Sequence, residues 1–157
     1  MPTKKISLVL GLGNTILSDD GVGIYVTRTL HDIIQDPLVH FKEASLGGLE
    51  LLDVITGYDH VILIDAIQTG KHPVGTLISL KAENLKGGSA MARHQVPLPE
   101  ALALGHHLEM DLPADIRIYA VEVKDVSTFS ESCTPELEKR IKAIAREIAG
   151  KEFSQSL

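Results

Sequence analysis

Residues 6–23 read ISLVLGLGNTILSDDGVG, and this stretch decides the fold. Ile6–Leu10 is a short apolar run typical of a buried strand, and the Gly11-Leu12-Gly13-Asn14 turn ends it with residues that tolerate unusual backbone angles. From about Gly21 the pattern changes to helical spacing, with apolar residues at Val22, Val26, Leu30 and Ile33. A strand, a turn and an amphipathic helix form the first half of a βαβ unit, which predicts a largely parallel sheet.

The rest of the chain continues this alternation. Further strands are predicted at Val39–Phe41, Val61–Ile64, Gly75–Leu80 and Asp115–Val121, and further helices at Leu49–Ile55, from Pro99 to about Met110, and from Thr134 onward. The strand at Gly75–Leu80 follows its predecessor too closely for a helical crossover and should be antiparallel. The pattern therefore predicts one domain over residues 1–157, an α/β/α three-layer sandwich with a mostly parallel five-stranded sheet and one antiparallel strand.

Composition excludes several classes of function. The 157 residues contain 15 Lys and Arg against 21 Asp and Glu, a net charge of −6 that argues against nucleic acid as a partner. No apolar run approaches the roughly 18 residues of a membrane span. Cys133 is the only cysteine, which excludes an internal disulfide and a multi-cysteine metal site. We therefore expect a monomeric protein of the cytoplasm.

Three aspartates lie where a ligand site is expected. In open α/β sheets ligands bind beyond the carboxyl ends of the strands, and Asp19, Asp20 and Asp65 all fall there. Each has a structural alternative: Asp19 or Asp20 can cap the following helix, and Asp65 can form an Asx turn. One cap needs only one aspartate, so the second carboxylate of the pair is the better candidate for function.

A histidine completes a candidate metal site. The longest irregular stretch runs from Lys81 to Val96, and His94 lies near its end, before a predicted helix. Two carboxylates and one imidazole suit a borderline divalent cation such as nickel or zinc, although sequence spacing alone does not prove that they converge. The other histidines singled out, His72, His106 and His107, are expected to be solvated.

Two other chemistries are less favoured. Ser18 and Cys133 are possible nucleophiles, but neither lies in a nucleophile-elbow pattern, and a lone cysteine is more often part of the core. A nucleotide-binding module would depend on Gly11 and Gly13 alone, because Ile16 takes the place of the third glycine of the dinucleotide fingerprint. The adjacent aspartates would also repel a pyrophosphate.

The chain resembles the nickel–iron hydrogenase maturation proteases. The resemblance begins with Leu8–Asn14, Leu17, Asp19-Asp20 and Gly23, and continues in Gly48–Leu52, Ile64-Asp65-Ala66, His94-Gln95 with Leu98, Val121–Val123 and Thr134–Glu138. These blocks run through nearly the whole chain in the family's order.

The resemblance implies an endopeptidase that removes the C-terminal extension of the hydrogenase large-subunit precursor after nickel insertion. It places the catalytic and metal-binding roles on Asp20, Asp65 and His94. Nickel would arrive with the precursor, and zinc or cadmium could substitute in the free enzyme. The protease would be of aspartic type or assisted by the substrate's metal. A nickel-dependent chaperone of the precursor that lacks peptidase activity would use the same three residues.

Overall fold

The computed structural model describes residues 5–45, 48–81 and 98–154. The strands are Ser7–Leu12 (β1), Val39–Ala44 (β2), His60–Ile67 (β3), Leu77–Lys81 (β4) and Asp115–Glu122 (β5). The helices are Val22–Ile33 (α1), Gly48–Ile55 (α2), Leu98–His107 (α3), Pro135–Glu138 (α4) and Ile141–Glu152 (α5), and a 3₁₀ turn, Ser18–Gly21, precedes α1.

The strands form a sheet in the order β2-β1-β3-β5-β4. The pairs β1–β2, β1–β3 and β3–β5 are parallel, and β4 is antiparallel to β5. The predicted mostly parallel five-stranded sheet with one antiparallel strand is thereby confirmed. The antiparallel strand pairs with β5 at the edge of the sheet and not with β3, its predecessor in the chain.

Two apolar layers cover the sheet, as the three-layer prediction requires. On one face Val9, Ile62 and Ile64 pack with α1 and α5; on the other, Leu10 and Leu63 pack with residues of α2 and α3. Buried strand residues of this kind supply most of the free energy of folding, at about 25 cal/mol per Å² of apolar surface.

Glycine lets α1 approach the sheet closely. A Cβ on Gly23 would lie 2.2 Å from the carbonyl oxygen of Ile64 and 2.6 Å from that of Leu12. Real Cβ atoms do not come so near to backbone oxygens, so only glycine fits here. The first turn of α1 consequently lies directly against the carboxyl ends of β1 and β3.

Several predicted boundaries are wrong. Strand β1 continues past Leu10 to Leu12 and β2 past Phe41 to Ala44, because the two strands pair over that length. Strand β3 continues past Asp65 to Ile67 because β5 pairs with it as far as Glu122. The helix after Thr134 breaks into α4 and α5, since the Arg140 N–H donates to the Leu137 carbonyl in a tighter 3₁₀ pattern. Helix α3 ends at His107 and does not reach Met110, because Glu109 adopts a left-handed φ of 58°.

Most of the irregular stretch from Lys81 to Val96 lies outside the residues that the structure describes. Within residues 5–45, 48–81 and 98–154, no helix is both long enough and apolar enough to cross a membrane.

Candidate functional site

The strand order places a topological switch point between β1 and β3, where sheets of this kind are expected to have a crevice. The chain leaves β1 and returns through β2 on one side of it, whereas β3 lies on the other side. The loops that follow the two strands therefore diverge, and this is the position at which doubly wound sheets bind ligands. Two of the three predicted site residues, Asp20 and Asp65, belong to segments at this crevice.

Asp65 lies within β3, one residue beyond the Gly11–Ile64 pair of the β1–β3 register. Its side chain is 4% exposed, and Oδ1 accepts a 2.8 Å hydrogen bond from the N–H of Ala66. Alternation along the strand puts Asp65 on the same face as Leu63, which packs with the α2 and α3 layer. The Asx-turn alternative is wrong, because the backbone continues as a strand.

Asp20 is brought to the end of β1 by a tight turn. Gly13 takes φ +145°, and a Cβ on it would lie 2.1 Å from the carbonyl oxygen of Asp20. The half-buried Asp20 side chain then accepts a 3.0 Å hydrogen bond from the N–H of Asn14 through Oδ2. This hydrogen bond holds the Asp20 carboxylate beside Asn14, which is two residues beyond the last residue of β1. The carboxylate therefore lies at the same edge of the sheet as Asp65.

The neighbouring Asp19 has a different role. It is fully buried, and Oδ2 accepts hydrogen bonds from the N–H groups of Lys124 and Asp125, both at 3.1 Å. Oδ1 accepts from the N–H of Thr134 at 2.7 Å, and the Thr134 hydroxyl also bonds this carboxylate. Asp19 therefore joins the loop after β1 to the loop after β5, and it does not cap the start of α1.

The loop after β1 does not offer a phosphate cradle. Its N–H groups at Asn14 and residues 16–20 are already hydrogen-bonded within the protein. For example, the Ser18 N–H donates to Ser130 and the Asp19 N–H to Asp125, both at 2.9 Å. Phosphate sites use such N–H groups as donors to the ligand, so this geometry argues against the nucleotide-binding alternative.

His94, the third predicted site residue, lies outside the described residues. Among residues 5–45, 48–81 and 98–154, no group of three or more His, Cys, Asp or Glu side chains is placed to hold a metal ion. Asp20 and Asp65 supply carboxylate oxygens of the kind that divalent cations accept, so a metal here would need further donors. As predicted, His72, His106 and His107 are exposed.

The two possible nucleophiles are structural. Cys133 is 7% exposed, and burial, with a smaller effect from the charge of Asp19, raises the pKa of its thiol to about 12. Ser18 is 4% exposed and adopts a left-handed φ of 52° within the 3₁₀ turn. Neither side chain has the exposure and activation that a nucleophile needs.

The sequence analysis missed a second polar cluster, at the amino edge of the sheet. His60 Nδ1 lies 2.9 Å from Asp115 and Nε2 lies 3.4 Å from Glu152, which also pairs with Arg117 at 3.2 Å. The Tyr119 hydroxyl donates to Glu152 at 2.5 Å, and burial, followed by this bond, raises the pKa of Tyr119. These residues are far apart in the chain, and no local pattern connects them.

The chain is similar in sequence to known hydrogenase maturation proteins. The family model for hydrogenase maturation proteases (HycI) matches residues 24–151. A hydrogenase 2 maturation protease of Escherichia coli is 31% identical over 99 residues, which is 61% of this chain and 60% of the relative. The protein HupD of Thiocapsa roseopersicina, described as a hydrogenase expression/formation protein, is 28% identical over 138 residues, or 85% of this chain and 62% of the relative. The chain thus spans about three fifths of the length of these curated relatives.

Solved structures share the fold. The hydrogenase maturating endopeptidase HybD of E. coli superposes with a TM-score of 0.76 at 24% identity, covering 96% of this chain and 93% of that one. The [NiFe] hydrogenase maturation protease HycI of Thermococcus kodakarensis gives a TM-score of 0.71 at 21% identity, covering 93% and 91%. Because the family model matches most of the sequence, this chain belongs to the hydrogenase maturation protease family.

Proposed function

We propose that this protein is an endopeptidase that removes the C-terminal extension of a nickel–iron hydrogenase large-subunit precursor after nickel has been inserted. The observation that carries the proposal is the position of Asp20 and Asp65 at the β1–β3 crevice in a chain of the maturation protease family. Two carboxylates at a crevice of this kind suit recognition of a cation or activation of water.

In this proposal nickel is part of the substrate. Thiolates of the precursor hold the ion, and Asp20, Asp65 and His94 add oxygen and nitrogen ligands when the precursor docks. Only a loaded precursor completes the coordination, so the metal reports that the substrate is ready for cleavage. Two carboxylates and one histidine should hold a metal weakly without the precursor, so protein dialysed against buffer should retain less than one equivalent.

The chemistry is hydrolysis of one peptide bond. Water adds to the scissile carbonyl carbon, a base takes the proton of the water, and the leaving amine receives a proton as the C–N bond breaks. Either Asp20 or Asp65 acts as the base, or nickel polarises the carbonyl or the water as a Lewis acid. An aspartic dyad is the less favoured subtype, because the sequence contains no Asp-Thr-Gly or Asp-Ser-Gly triplet.

We also propose that processing takes place in the cytoplasm. Cys133 is a free, buried thiol, and it is the only cysteine of the chain. A chain without disulfides suits a reducing compartment.

The experiment is an intact-mass measurement of a large-subunit precursor incubated with this protein, with nickel-loaded and nickel-free precursor side by side. We expect loss of a C-terminal fragment from the loaded precursor only, and no loss with the Asp65→Asn variant. Equal cleavage of nickel-loaded and nickel-free precursor would contradict recognition of the substrate through its metal. Nickel-dependent binding without cleavage would identify the protein as a chaperone and overturn the peptidase proposal.

A further inference from the structure

Exposed apolar side chains are concentrated at the carboxyl edge of the sheet. In the part of the chain that the structure describes, the large apolar residues with the greatest exposure are Ile16, Leu49, Leu104, Leu108 and Phe129. Three of them, Ile16, Leu49 and Phe129, follow the carboxyl ends of β1, β2 and β5. Phe129 is 82% exposed, an extreme value for so large an apolar side chain, since apolar residues exposed to water usually cost free energy.

Ile16 and Phe129 are neighbours in space. Leu17 and Ser130 form a parallel β-bridge, in which the Ser130 N–H donates to the Ile16 carbonyl at 3.0 Å and the Ser18 N–H donates to the Ser130 carbonyl at 2.9 Å. The register of this bridge places Ile16 beside Phe129. Both side chains are open to solvent, Ile16 with 48% and Phe129 with 82% of its surface exposed. We call the pair of Ile16 and Phe129 the apolar ridge.

Hydrogen bonds hold the loop that carries Phe129. Asp125 accepts two 3.0 Å bonds from the N–H groups of Ser127 and Thr128. Hydrogen bonding with the Thr128 side chain, followed by these two backbone bonds, lowers the pKa of Asp125 to about 2. Before the loop, Asp19 binds the N–H groups of Lys124 and Asp125; after it, Asp19 binds Thr134. A surface that is already ordered loses little conformational entropy when a partner binds, which favours docking.

The ridge is continuous with the candidate active site. The Asp20 N–H donates to the Leu17 carbonyl at 3.1 Å, so one tight turn separates Asp20 from Ile16. A protein substrate whose scissile bond reaches Asp20 must lay its adjoining residues on the surface around that turn. Apolar side chains next to the cleaved bond would cover Ile16 and Phe129 and bury apolar surface on both sides.

We propose that the apolar ridge is a docking surface for an apolar segment of the precursor next to the cleaved bond. This inference rests on the proposed function, because it assigns the partner to the same site. An exposed aromatic side chain on an ordered loop beside a site is the kind of residue that contributes strongly to binding energy in protein interfaces. The ridge should therefore control the affinity for the precursor and leave the chemical step to the aspartates.

The test compares Phe129→Ala with Leu108→Ala. Leu108 is 60% exposed just after α3, away from the candidate site, so it is a matched control for the loss of exposed apolar surface. With nickel-loaded precursor we expect Phe129→Ala to raise KM by about tenfold or more, with kcat within about twofold of the unmodified protein. Leu108→Ala should leave both constants within about twofold. Equal KM values for the two variants would overturn the proposal that the ridge binds the precursor, while leaving the peptidase proposal intact.

A binding measurement separates the ridge from the proposed function. The Kd of the same precursor is measured by calorimetry on the Asp65→Asn background, with and without Phe129→Ala. If Phe129→Ala binds the precursor about tenfold more weakly, the result supports precursor docking on the ridge. This conclusion holds even if the unmodified protein cleaves no precursor. Absence of cleavage would contradict only the peptidase proposal. The rival occupant is a second copy of this chain. If sedimentation equilibrium shows a dimer of the unmodified protein and a monomer of Phe129→Ala, the proposal that the precursor occupies the ridge is overturned.

Discussion

The two edges of the sheet use their polar side chains differently. At the amino edge, Glu152 pairs with both His60 and Arg117 and accepts from the Tyr119 hydroxyl, and His60 also pairs with Asp115. At the carboxyl edge, Asp20 and Asp65 accept hydrogen bonds from backbone N–H groups of their own segments. The amino edge has the larger ionic cluster among the described residues, yet the strand order places the candidate ligand site at the other edge.

The difference has a physical cause. At the amino edge the Glu152 side chain is 5% exposed, and such a carboxylate must be paired to offset its desolvation. The pairing fixes the end of α5 to β3 and β5, which is a structural task. At the carboxyl edge the connecting loops diverge, so polar groups there can meet a ligand. A dense cluster of titratable groups is therefore a weaker indication of function than position at the switch point of the sheet.

Removing one carboxylate at the carboxyl edge should give the largest effect. Asp20→Asn and Asp65→Asn should each lower processing of nickel-loaded precursor by about a hundredfold or more, because a neutral amide is a poor metal ligand and no base. Asparagine keeps an oxygen that can accept from the N–H of Asn14 or Ala66, so the melting temperature should change little. His94→Ala should be as damaging as either. Intact mass of the precursor over time measures the rates, and full activity in any variant would remove that residue from the site.

In contrast, Asp19→Asn should lower the stability of the protein. Asp19→Asn places an amide nitrogen where an oxygen now accepts two hydrogen bonds, which leaves buried donors without an acceptor. We expect a loss of about 2–3 kcal/mol in the free energy of unfolding, measured by urea titration. The buried Cys133 thiol should also react faster with a thiol reagent, as the joined loops open more often. If Asp19→Asn leaves stability unchanged but removes activity, the division of roles between Asp19 and Asp20 is wrong.

At the amino edge, Glu152→Gln should cost stability and spare activity. The variant loses the charge that pairs with Arg117 and His60, and we expect about 1–2 kcal/mol less stability because the group is buried. Asp65 lies five residues along β3 from His60, about 16 Å at 3.3 Å per residue, so the site should be unaffected. Urea titration and the processing rate test both parts. A strongly reduced rate at unchanged stability would assign the amino edge a function.

The smallest effect is expected at an exposed ion pair between α1 and β2. Arg28 and Glu43 pair at 2.8 Å with both side chains substantially exposed, so Glu43→Gln should change stability by at most about 0.5 kcal/mol. The hydrogen bond from Arg28 lowers the pKa of Glu43. The pair therefore stabilises the protein above the ordinary Glu pKa, and this contribution is lost as the pH falls through the lowered value. Urea titrations at pH 7 and pH 3 should show the variant's deficit only at pH 7.

The sequence alone predicted the architecture well, because its signals are local. The apolar runs and helical spacing that start at Ile6 and Val22 gave strands and helices close to those observed, and the turn predicted at Gly11–Asn14 lies within two residues of the end of β1. The errors lie where a distant partner decides the outcome. β5 extends β3 past Asp65, and a 3₁₀ turn at Arg140 divides the last helix.

For the candidate site, too, some features could be predicted from the sequence and others required the tertiary structure. Residue type and position after a strand made Asp19, Asp20 and Asp65 candidates, because parallel strands end at a common edge, and the family resemblance assigned the site role to Asp20 and Asp65. No pattern in the neighbouring sequence distinguishes Asp19 from Asp20. Only the tertiary structure shows that the Asp19 carboxylate accepts hydrogen bonds from the N–H groups of Lys124, Asp125 and Thr134. The amino-edge cluster and the ridge of Ile16 and Phe129 also join residues more than 30 positions apart. The sequence determined which chemical groups the protein offers, since propensity and periodicity act over a few residues. Which of those groups are paired inside the protein and which lie at the candidate site was decided by strand order and loop packing, since burial and hydrogen bonding depend on residues far away in the chain.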